Sequence, residues 1–213
     1  TLTLPQEGQA TCVDFSPDGQ VLATGWDAKT SSICLWDSHS GQLVRELRGA
    51  PGRITGVRFS PNGQVLASTS HSNSVVLWDW AAGKAIHSLE SHDCQFEAPI
   101  FLAGGTKLAA GGSDGAIRVW DVAEGRELQA LSGHSGFSFP LAVLGDGTLV
   151  STGHDQTLRF WDIALSAEKR QWPWPQDAFP TAAVSPDGRR IAQGQRNGNI
   201  CLFDLVSKER EDA

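Results

Sequence analysis

A Trp-Asp pair recurs along this chain at nearly fixed intervals, and this repeat constrains the fold more than any other feature. Successive copies lie 41 or 42 residues apart, and in the last copy phenylalanine replaces tryptophan. The copies are Trp36-Asp37, Trp78-Asp79, Trp120-Asp121, Trp161-Asp162 and Phe203-Asp204. Self-similarity at a period of about 40 residues is typical of arrays that stack one small unit many times. The sequence therefore predicts a single repeat array over residues 1–213.

Each repeat contains four short apolar runs separated by polar turns. The first run ends in Ser-Pro-Asp-Gly at residues 16–19 and in Ser-Pro-Asn-Gly at residues 60–63, and such turns are typical of tight β-hairpins. Four short strands per repeat, without helical periodicity, predict an all-β chain. One four-stranded repeat cannot bury both of its faces, so neighbouring repeats must stack. The predicted repeats span approximately 10–47, 53–89, 96–131, 138–172 and 179–204.

The hairpin turns, the Trp-Asp endings and the Gly133-His134 pair before the fourth tryptophan together resemble the WD-repeat (WD40) β-propeller family over nearly the whole chain. The resemblance implies a β-propeller of five four-stranded WD-repeat blades. It also implies a buried hydrogen-bond relay in each blade, because a buried indole and a buried imidazole both need partners. The implied relay residues of the fourth and third repeats are His134, Ser151, Asp155 and Trp161, and His92, Asp114 and Trp120. These groups are expected to be structural and not catalytic.

The two ends of the chain leave two architectures open. Residues 1–5 alternate between polar and apolar side chains and predict an outer strand, which closes either the last blade or a preceding one. Residues 205–213 are polar and predict no fourth strand. The chain is then either a closed five-bladed ring or part of a larger propeller of seven blades, the usual number in the family that it resembles. The chain begins at Thr1 and contains no methionine, so either an initiator methionine was removed or, as we expect, the chain is a segment of a longer protein.

Charge and composition argue against several classes of function. The net charge of −7 and the lack of a basic run give no strong nucleic-acid signal, since phosphate contacts need clustered lysine and arginine. There is no apolar run long enough for a membrane segment. The four cysteines lack CxxC spacing, so we expect reduced thiols in an intracellular, cytoplasmic protein. No cofactor and no metal site are predicted, because the histidines lack the spacing of known metal motifs.

The innermost strands predict an ion pair where a propeller hydrolase would need two carboxylates. Asp14 lies on the first strand of the first repeat, and Arg58 takes the matching place in the second. One acidic residue beside one basic residue favours an Asp14–Arg58 ion pair and argues against hydrolase chemistry.

Binding is the more plausible role, because propellers of this family generally present loops to partners. The residues expected on the loop face include aromatic and arginine side chains, which are enriched at the energetic centres of interfaces. Trp26 and Phe137 could instead fill gaps between blades, and the two tryptophans of the Trp-Pro-Trp-Pro segment could pack on the rim. The partner-binding candidates are Trp26, Arg53, His71, Phe137, His154, Arg196, Trp172 and Trp174.

The sequence therefore predicts a non-enzymatic scaffold for protein–protein interaction, in which rigid blades display loops to a protein or peptide partner. Two alternatives stay open. One is a sensor or regulatory WD-repeat segment of a larger multidomain protein, and the other is a propeller that binds a small molecule or a carbohydrate.

Overall fold

The computed structural model describes residues 9–27, 32–50, 52–90, 94–173, 178–185, 187–195, 197–205 and 210–212, with backbone alone for 178–181 and 210–212. Throughout these ranges the chain forms strands and turns, apart from one short 3₁₀ turn at Ala103–Gly105. The strands make five four-stranded antiparallel sheets, the unit of which β-propellers are built. The predicted all-β fold class is thus confirmed.

The first, second and third sheets follow the same order along the chain. The first comprises β1 (Gln9–Phe15), β2 (Val21–Asp27), β3 (Ser32–Asp37) and β4 (Leu43–Arg48). The second comprises β5 (Ile54–Phe59), β6 (Leu66–Ser70), β7 (Ser74–Asp79) and β8 (Lys84–Glu90). The third comprises β9 (Phe96–Leu102), β10 (Lys107–Gly112), β11 (Ile117–Asp121) and β12 (Glu127–Leu131).

The fourth and fifth sheets repeat this order. The fourth comprises β13 (Ser138–Val143), β14 (Leu149–Gly153), β15 (Thr157–Asp162) and β16 (Ala167–Pro173). The fifth comprises β17 (Ala178–Val184), β18 (Arg190–Gln195), β19 (Ile200–Asp204) and β20 (Arg210–Asp212).

The hairpin turns form as their residues predict. At the β1–β2 turn, the Gly19 amide donates to the Ser16 carbonyl over 2.8 Å, and Gly19 adopts a φ of 72°. That left-handed conformation is one that glycine adopts without steric cost. The Asp18 carboxylate accepts the Ser16 hydroxyl and the Gln20 amide. The turn thereby satisfies its own polar groups, which fixes where β1 ends and β2 begins.

The chain divides into two compact units. The first contains Thr1–Ala110 and Val119–Leu128, and the second contains Gly111–Arg118 and Gln129–Ala213. In the first unit, apolar side chains fill the layers between the first and second sheets and between the second and third. In the second unit, another cluster fills the layer between the fourth and fifth sheets. The tryptophans of the first four Trp-Asp pairs are all buried.

The outer strand of the fifth sheet corrects one prediction. Residues 210–212 form β20, which pairs with β19 through Leu202 opposite Glu211, so the expectation of no fourth strand in residues 205–213 was wrong. An outer strand needs backbone pairing more than apolar side chains, and charged residues are common on sheet edges. The outer strands β4, β8 and β16 are likewise mostly exposed. Residues 1–5, which were predicted to form an outer strand, lie outside the described ranges.

Candidate functional site

The four relay residues predicted in the fourth blade are joined by hydrogen bonds. The Trp161 indole N–H donates to the Ser151 hydroxyl over 2.8 Å, and that hydroxyl lies 2.8 Å from His134 Nε2. The other ring nitrogen, Nδ1, lies 2.9 Å from Asp155 Oδ1. All partners are satisfied when Ser151 donates to Nε2 and Nδ1–H donates to Asp155, which corresponds to a neutral imidazole.

Burial and hydrogen bonding set the protonation of this relay. Burial lowers the pKa of His134 and outweighs the opposing effect of Asp155. For Asp155, burial acts to raise the pKa, but hydrogen bonds from His134 and Thr157 outweigh it and leave the pKa lowered. Arg159 extends the network by donating to Asp155 over 3.1 Å and pairing with Glu168. A neutral histidine beside an ionised aspartate is therefore the stable state of the folded protein near neutral pH.

The relay resembles a catalytic triad in residue types alone. Ser151 and the His134 side chain are fully buried, and both polar atoms of the imidazole are engaged. A nucleophile has to reach a substrate as well as a base, and this hydroxyl is instead held by the Trp161 indole. The arrangement stabilises the fourth blade and offers no exposed reacting atom.

The bond between indole and hydroxyl recurs in the first two blades. Trp78 Nε1 donates to Ser68 over 2.9 Å, and Trp36 Nε1 donates to Thr24 over 2.8 Å. Thr24 was missed at the sequence level. Strand register identifies it: Thr24 pairs with Cys34 just as Ser68 pairs with Val76. Counting forward from the hairpin glycine would have found it, because Thr24 lies five residues after Gly19 just as Ser68 lies five residues after Gly63.

The third blade uses its relay residues differently. The Asp114 carboxylate pairs with Arg118 over 2.7 Å and accepts the Ala116 amide. Trp120 is buried and packs edge-to-face on Phe96 with ring centroids 5.3 Å apart. His92, the third predicted member, lies outside the described residues.

The predicted ion pair of the innermost strands is present. Arg58 Nη1 lies 3.4 Å from Asp14 Oδ1, and the other oxygen of Asp14 accepts the Phe59 amide over 2.7 Å. Burial raises the pKa of Asp14, with the Phe59 amide and Arg58 acting against it. The pair links the first and second sheets, so Asp14 has a structural role.

Trp26 does not lie on an exposed loop face. It is 6% exposed, donates to Thr24 over 2.7 Å and packs with Cys34 and Trp36. The reason is strand register, because Trp26 pairs with Ala10 inside the β1–β2 ladder. It therefore lies one residue further inside β2 than the turn position at which it was expected. Because side chains alternate between faces, one residue reverses the direction of the side chain. Trp26 is therefore buried against other side chains of the first sheet.

The other candidates of the first unit form two surface ion pairs. Arg53 Nε lies 3.4 Å from Asp27 Oδ2, and both side chains are about half exposed. His71 Nε2 lies 3.3 Å from Glu97 Oε1. Burial raises the pKa of Glu97, and its hydrogen bond with His71 acts in the opposite direction.

Phe137 and His154, in the second unit, lie together with a third ring. Phe137 stacks on Phe139 with centroids 6.2 Å apart, and the His154 ring lies 5.4 Å from Phe137 and 5.5 Å from Phe139. The two phenylalanines are half-buried, whereas His154 is exposed. We call Phe137, Phe139 and His154 the aromatic cluster. Phe139 was missed at the sequence level, although its spacing of two residues from Phe137 along an extended segment places both rings on one face.

Trp172 packs on the rim of the fourth blade. Its ring meets Phe160 edge-to-face at 5.0 Å, and the Arg170 guanidinium lies over both rings at 4.7 and 4.0 Å. Trp172 is half-buried, so only part of its ring could contact a partner. The remaining two candidates, Trp174 and Arg196, lie outside the described residues.

The described residues also bear on metal sites and membrane segments. Among them, no three or more His, Cys, Asp and Glu side chains are grouped in a way that could hold a metal ion. Nor do those residues include a helix long and apolar enough to cross a membrane.

Comparison with known proteins identifies the family. The model of the WD domain, G-beta repeat, matches residues 1–37, 41–79, 83–121 and 125–162. The chain belongs to the WD40 family. The matched residues end at 162, whereas the structure continues into a further four-stranded sheet. WD40 propellers commonly serve as scaffolds for protein interaction and are generally non-catalytic. No curated protein matches the chain significantly.

Proposed function

We propose that this chain is a non-enzymatic scaffold that docks a protein or peptide partner, with the aromatic cluster as its principal contact. One contrast carries the proposal: the His, Ser and Asp groups that resemble catalytic residues are buried in the relay, while Phe137, Phe139 and His154 retain exposed surface. Aromatic groups with exposed faces supply large contact areas at low entropic cost, and they are enriched among interface residues with large binding contributions.

Hydrogen bonds to the backbone around the aromatic cluster, which we call its backbone frame, hold the cluster in place. The His154 amide donates to the Phe137 carbonyl over 2.9 Å, which ties the loop before β13 to the turn after β14. Next to Phe137, Ser138 is fully buried, donates to the Ala116 carbonyl over 3.2 Å and accepts the Gly112 amide over 3.1 Å. A site fixed in this way needs little reorganisation on binding, and preorganisation raises affinity by lowering that cost.

The first unit carries charged groups that offer a partner a separate contact. Arg53–Asp27 and His71–Glu97 are partly exposed, and such pairs contribute only about 0–1 kcal/mol to folding. Their charges can therefore be redirected to a partner at little cost in stability. Charged groups of this kind favour correct orientation and rapid association more than affinity.

The proposal includes an intracellular, cytoplasmic location. No disulfide joins the four cysteines, all of which lie in the described ranges, and three of them are buried. Reduced, buried thiols are typical of a reducing compartment. Fractionation of cells that express the tagged chain should recover it in the cytosolic fraction; recovery in a secreted or membrane fraction would refute this location.

Capture of partners by matched variants tests the scaffold function. The tagged wild-type chain is compared with Phe137→Ala/Phe139→Ala and with Leu165→Ala, which alters an exposed leucine of a turn in the same blade. Proteins enriched by the wild type should be retained by the leucine variant and lost with the double variant. Thermal melts establish that all three are folded. Equal capture by the folded double variant would refute the proposed contact.

A further inference from the structure

A pocket of about 500 Å³ lies beside the outer strand of the second sheet. Its walls include the half-buried ring of Trp80, the exposed side chain of Ile86, and Val65, and Asp79 supplies a carboxylate. We call it the rim pocket. All of its lining residues belong to the first compact unit, so its shape is set within that unit. Pockets for small ligands span about 300–1,000 Å³, so this one is large enough for a side chain and its flanking peptide groups.

Trp80 brings more to the pocket than the local fold requires. Its indole N–H donates to the Gly63 carbonyl over 2.8 Å. In the first sheet the residue after the Trp-Asp pair is Ser38, and its hydroxyl donates to the matching carbonyl of Gly19 over 2.6 Å. A serine therefore suffices for this hydrogen bond, and the indole of the second sheet adds an aromatic wall.

Asp79 uses only part of its carboxylate within the fold. Its Oδ1 accepts the Ala82 amide over 2.8 Å, which caps the turn between β7 and β8. Among the described residues, no donor pairs with its Oδ2. An organic cation suits these surroundings, because the carboxylate attracts its charge, the indole face adds a cation–π attraction, and the apolar walls cover a hydrocarbon stem.

The fourth sheet contains an ammonium group at the equivalent position. Lys169 is the unpaired bulge residue of β16, between Glu168 and Arg170. Its Nζ donates to the Thr148 hydroxyl over 2.9 Å and lies 3.7 Å from Asp162 Oδ2. The aspartate of this Trp-Asp pair thus binds a lysine from its own outer strand.

The second sheet has the same arrangement with an apolar residue in place of the lysine. The unpaired bulge residue of β8 is Ile86. Asp79 and Val65 hold the register positions that the aspartate and the threonine hold in the fourth sheet. Because isoleucine carries no charge, the second oxygen of Asp79 stays available to an ammonium group from another molecule.

We propose that the rim pocket binds the side-chain ammonium of a lysine from a partner protein. The ammonium pairs with Asp79 Oδ2, and the four-carbon stem lies along Trp80 and Ile86. An external lysine thereby makes the contact that Lys169 makes within the fourth sheet. The inference rests on the proposed scaffold function only in taking a protein as the source of the lysine. The pocket shares no residue with the aromatic cluster, so either contact can fail while the other holds.

A lysine analogue tests the proposal without a partner. The probe is Nα-acetyl-lysine N-methylamide, and the matched control is Nα-acetyl-norleucine N-methylamide, which keeps the four-carbon stem and lacks the charge. Both are titrated into the millimolar range at fixed ionic strength, and NMR follows the Trp80 indole signal and the backbone amides of residues 63–65 and 79–82. The lysine probe should bind about three- to tenfold more tightly than the control, through one exposed ion pair and one cation–π contact.

Three variants alter the pocket and spare the turn. Asp79→Asn keeps an oxygen for the Ala82 amide and should weaken binding of the lysine probe by about threefold or more. Trp80→Ser introduces the residue that the first sheet uses at this position and should weaken binding by a similar factor. Ile86→Lys supplies an ammonium from the chain itself and should block the probe. Asp37→Asn, the same change in the Trp-Asp pair of the first sheet, should leave binding unchanged.

Several results would overturn the proposal. One is a lysine probe that shifts none of the pocket signals, and another is a norleucine control that binds as tightly as the lysine probe. A third is undiminished binding of the lysine probe by Asp79→Asn, Trp80→Ser or Ile86→Lys, each shown by circular dichroism to be folded. If Asp79→Asn does not fold, Ile86→Lys decides, because it changes an exposed residue. Failure of the partner-capture experiment would leave this titration unaffected, so the two proposals are tested separately.

Discussion

Removing the Ser151 hydroxyl should destabilise the chain strongly, because one oxygen serves two buried groups. Ser151→Ala takes away the acceptor of the Trp161 indole and the partner of His134 Nε2, which lie 2.8 Å from it on either side. Ser151, Trp161 and the His134 side chain are essentially inaccessible to solvent. Leaving a buried polar group unpaired costs about 1–3 kcal/mol, so two such groups should cost about 2–6 kcal/mol.

The assay is chemical denaturation followed by far-UV circular dichroism, with a thermal melt in parallel. For a chain of this size, each kcal/mol lowers the melting temperature by about 2–4 °C, so a fall of roughly 4–24 °C is expected. Ser135→Ala is the matched control, because Ser135 is exposed and contacts Asp155 through its backbone amide. Ser151→Thr keeps the hydroxyl, as Thr24 does in the first blade, and should recover most of the stability. A loss below about 0.5 kcal/mol for Ser151→Ala, which is the range of neutral surface changes, would refute the structural role of the relay.

Three further predictions follow from local contacts. Folding lowers the pKa of His134, so at a pH just below the ordinary histidine pKa of about 6.5 the unfolded state binds more protons than the folded state. The free energy of unfolding should therefore fall as the pH drops through about 6.5. Denaturation at several pH values should show a smaller fall in the free energy of unfolding for His134→Gln than for the wild type. Gly111→Ala should destabilise severely, because its Cβ would collide with a backbone carbonyl of β13, whereas Gly145→Ala meets open space and should be nearly neutral; similar melting temperatures would contradict this. Asp14→Ala should cost about 1–2 kcal/mol by removing the acceptor of the Phe59 amide, while Asp14→Asn keeps an acceptor oxygen and should cost less in the same denaturation assay.

The Trp-Asp period allowed the blades to be predicted from sequence, because a repeat fixes the register of every copy once one copy is understood. The relay of the fourth blade was predicted from the resemblance to the WD-repeat family. Errors arose where a repeat departs from that register. Trp26 was expected at a turn, but the first blade extends β2 by a residue and places the indole in the core. The polar composition of residues 205–213 also led to a wrong prediction at β20, because strand pairing at a sheet edge depends on backbone groups and not on apolar side chains. Contacts between a strand and a distant turn, such as that of Phe139 with His154, could not be predicted from the sequence, because they depend on the three-dimensional arrangement of the strands.

The central claim is that the aromatic cluster is where a partner docks. Hydrogen–deuterium exchange of the chain with and without a captured partner tests it most directly, because exchange reports protection segment by segment. The account predicts new protection at residues 135–139 and 153–156, which contain the cluster and its backbone frame. Protection confined to the outer strands, with these two segments unchanged, would contradict it.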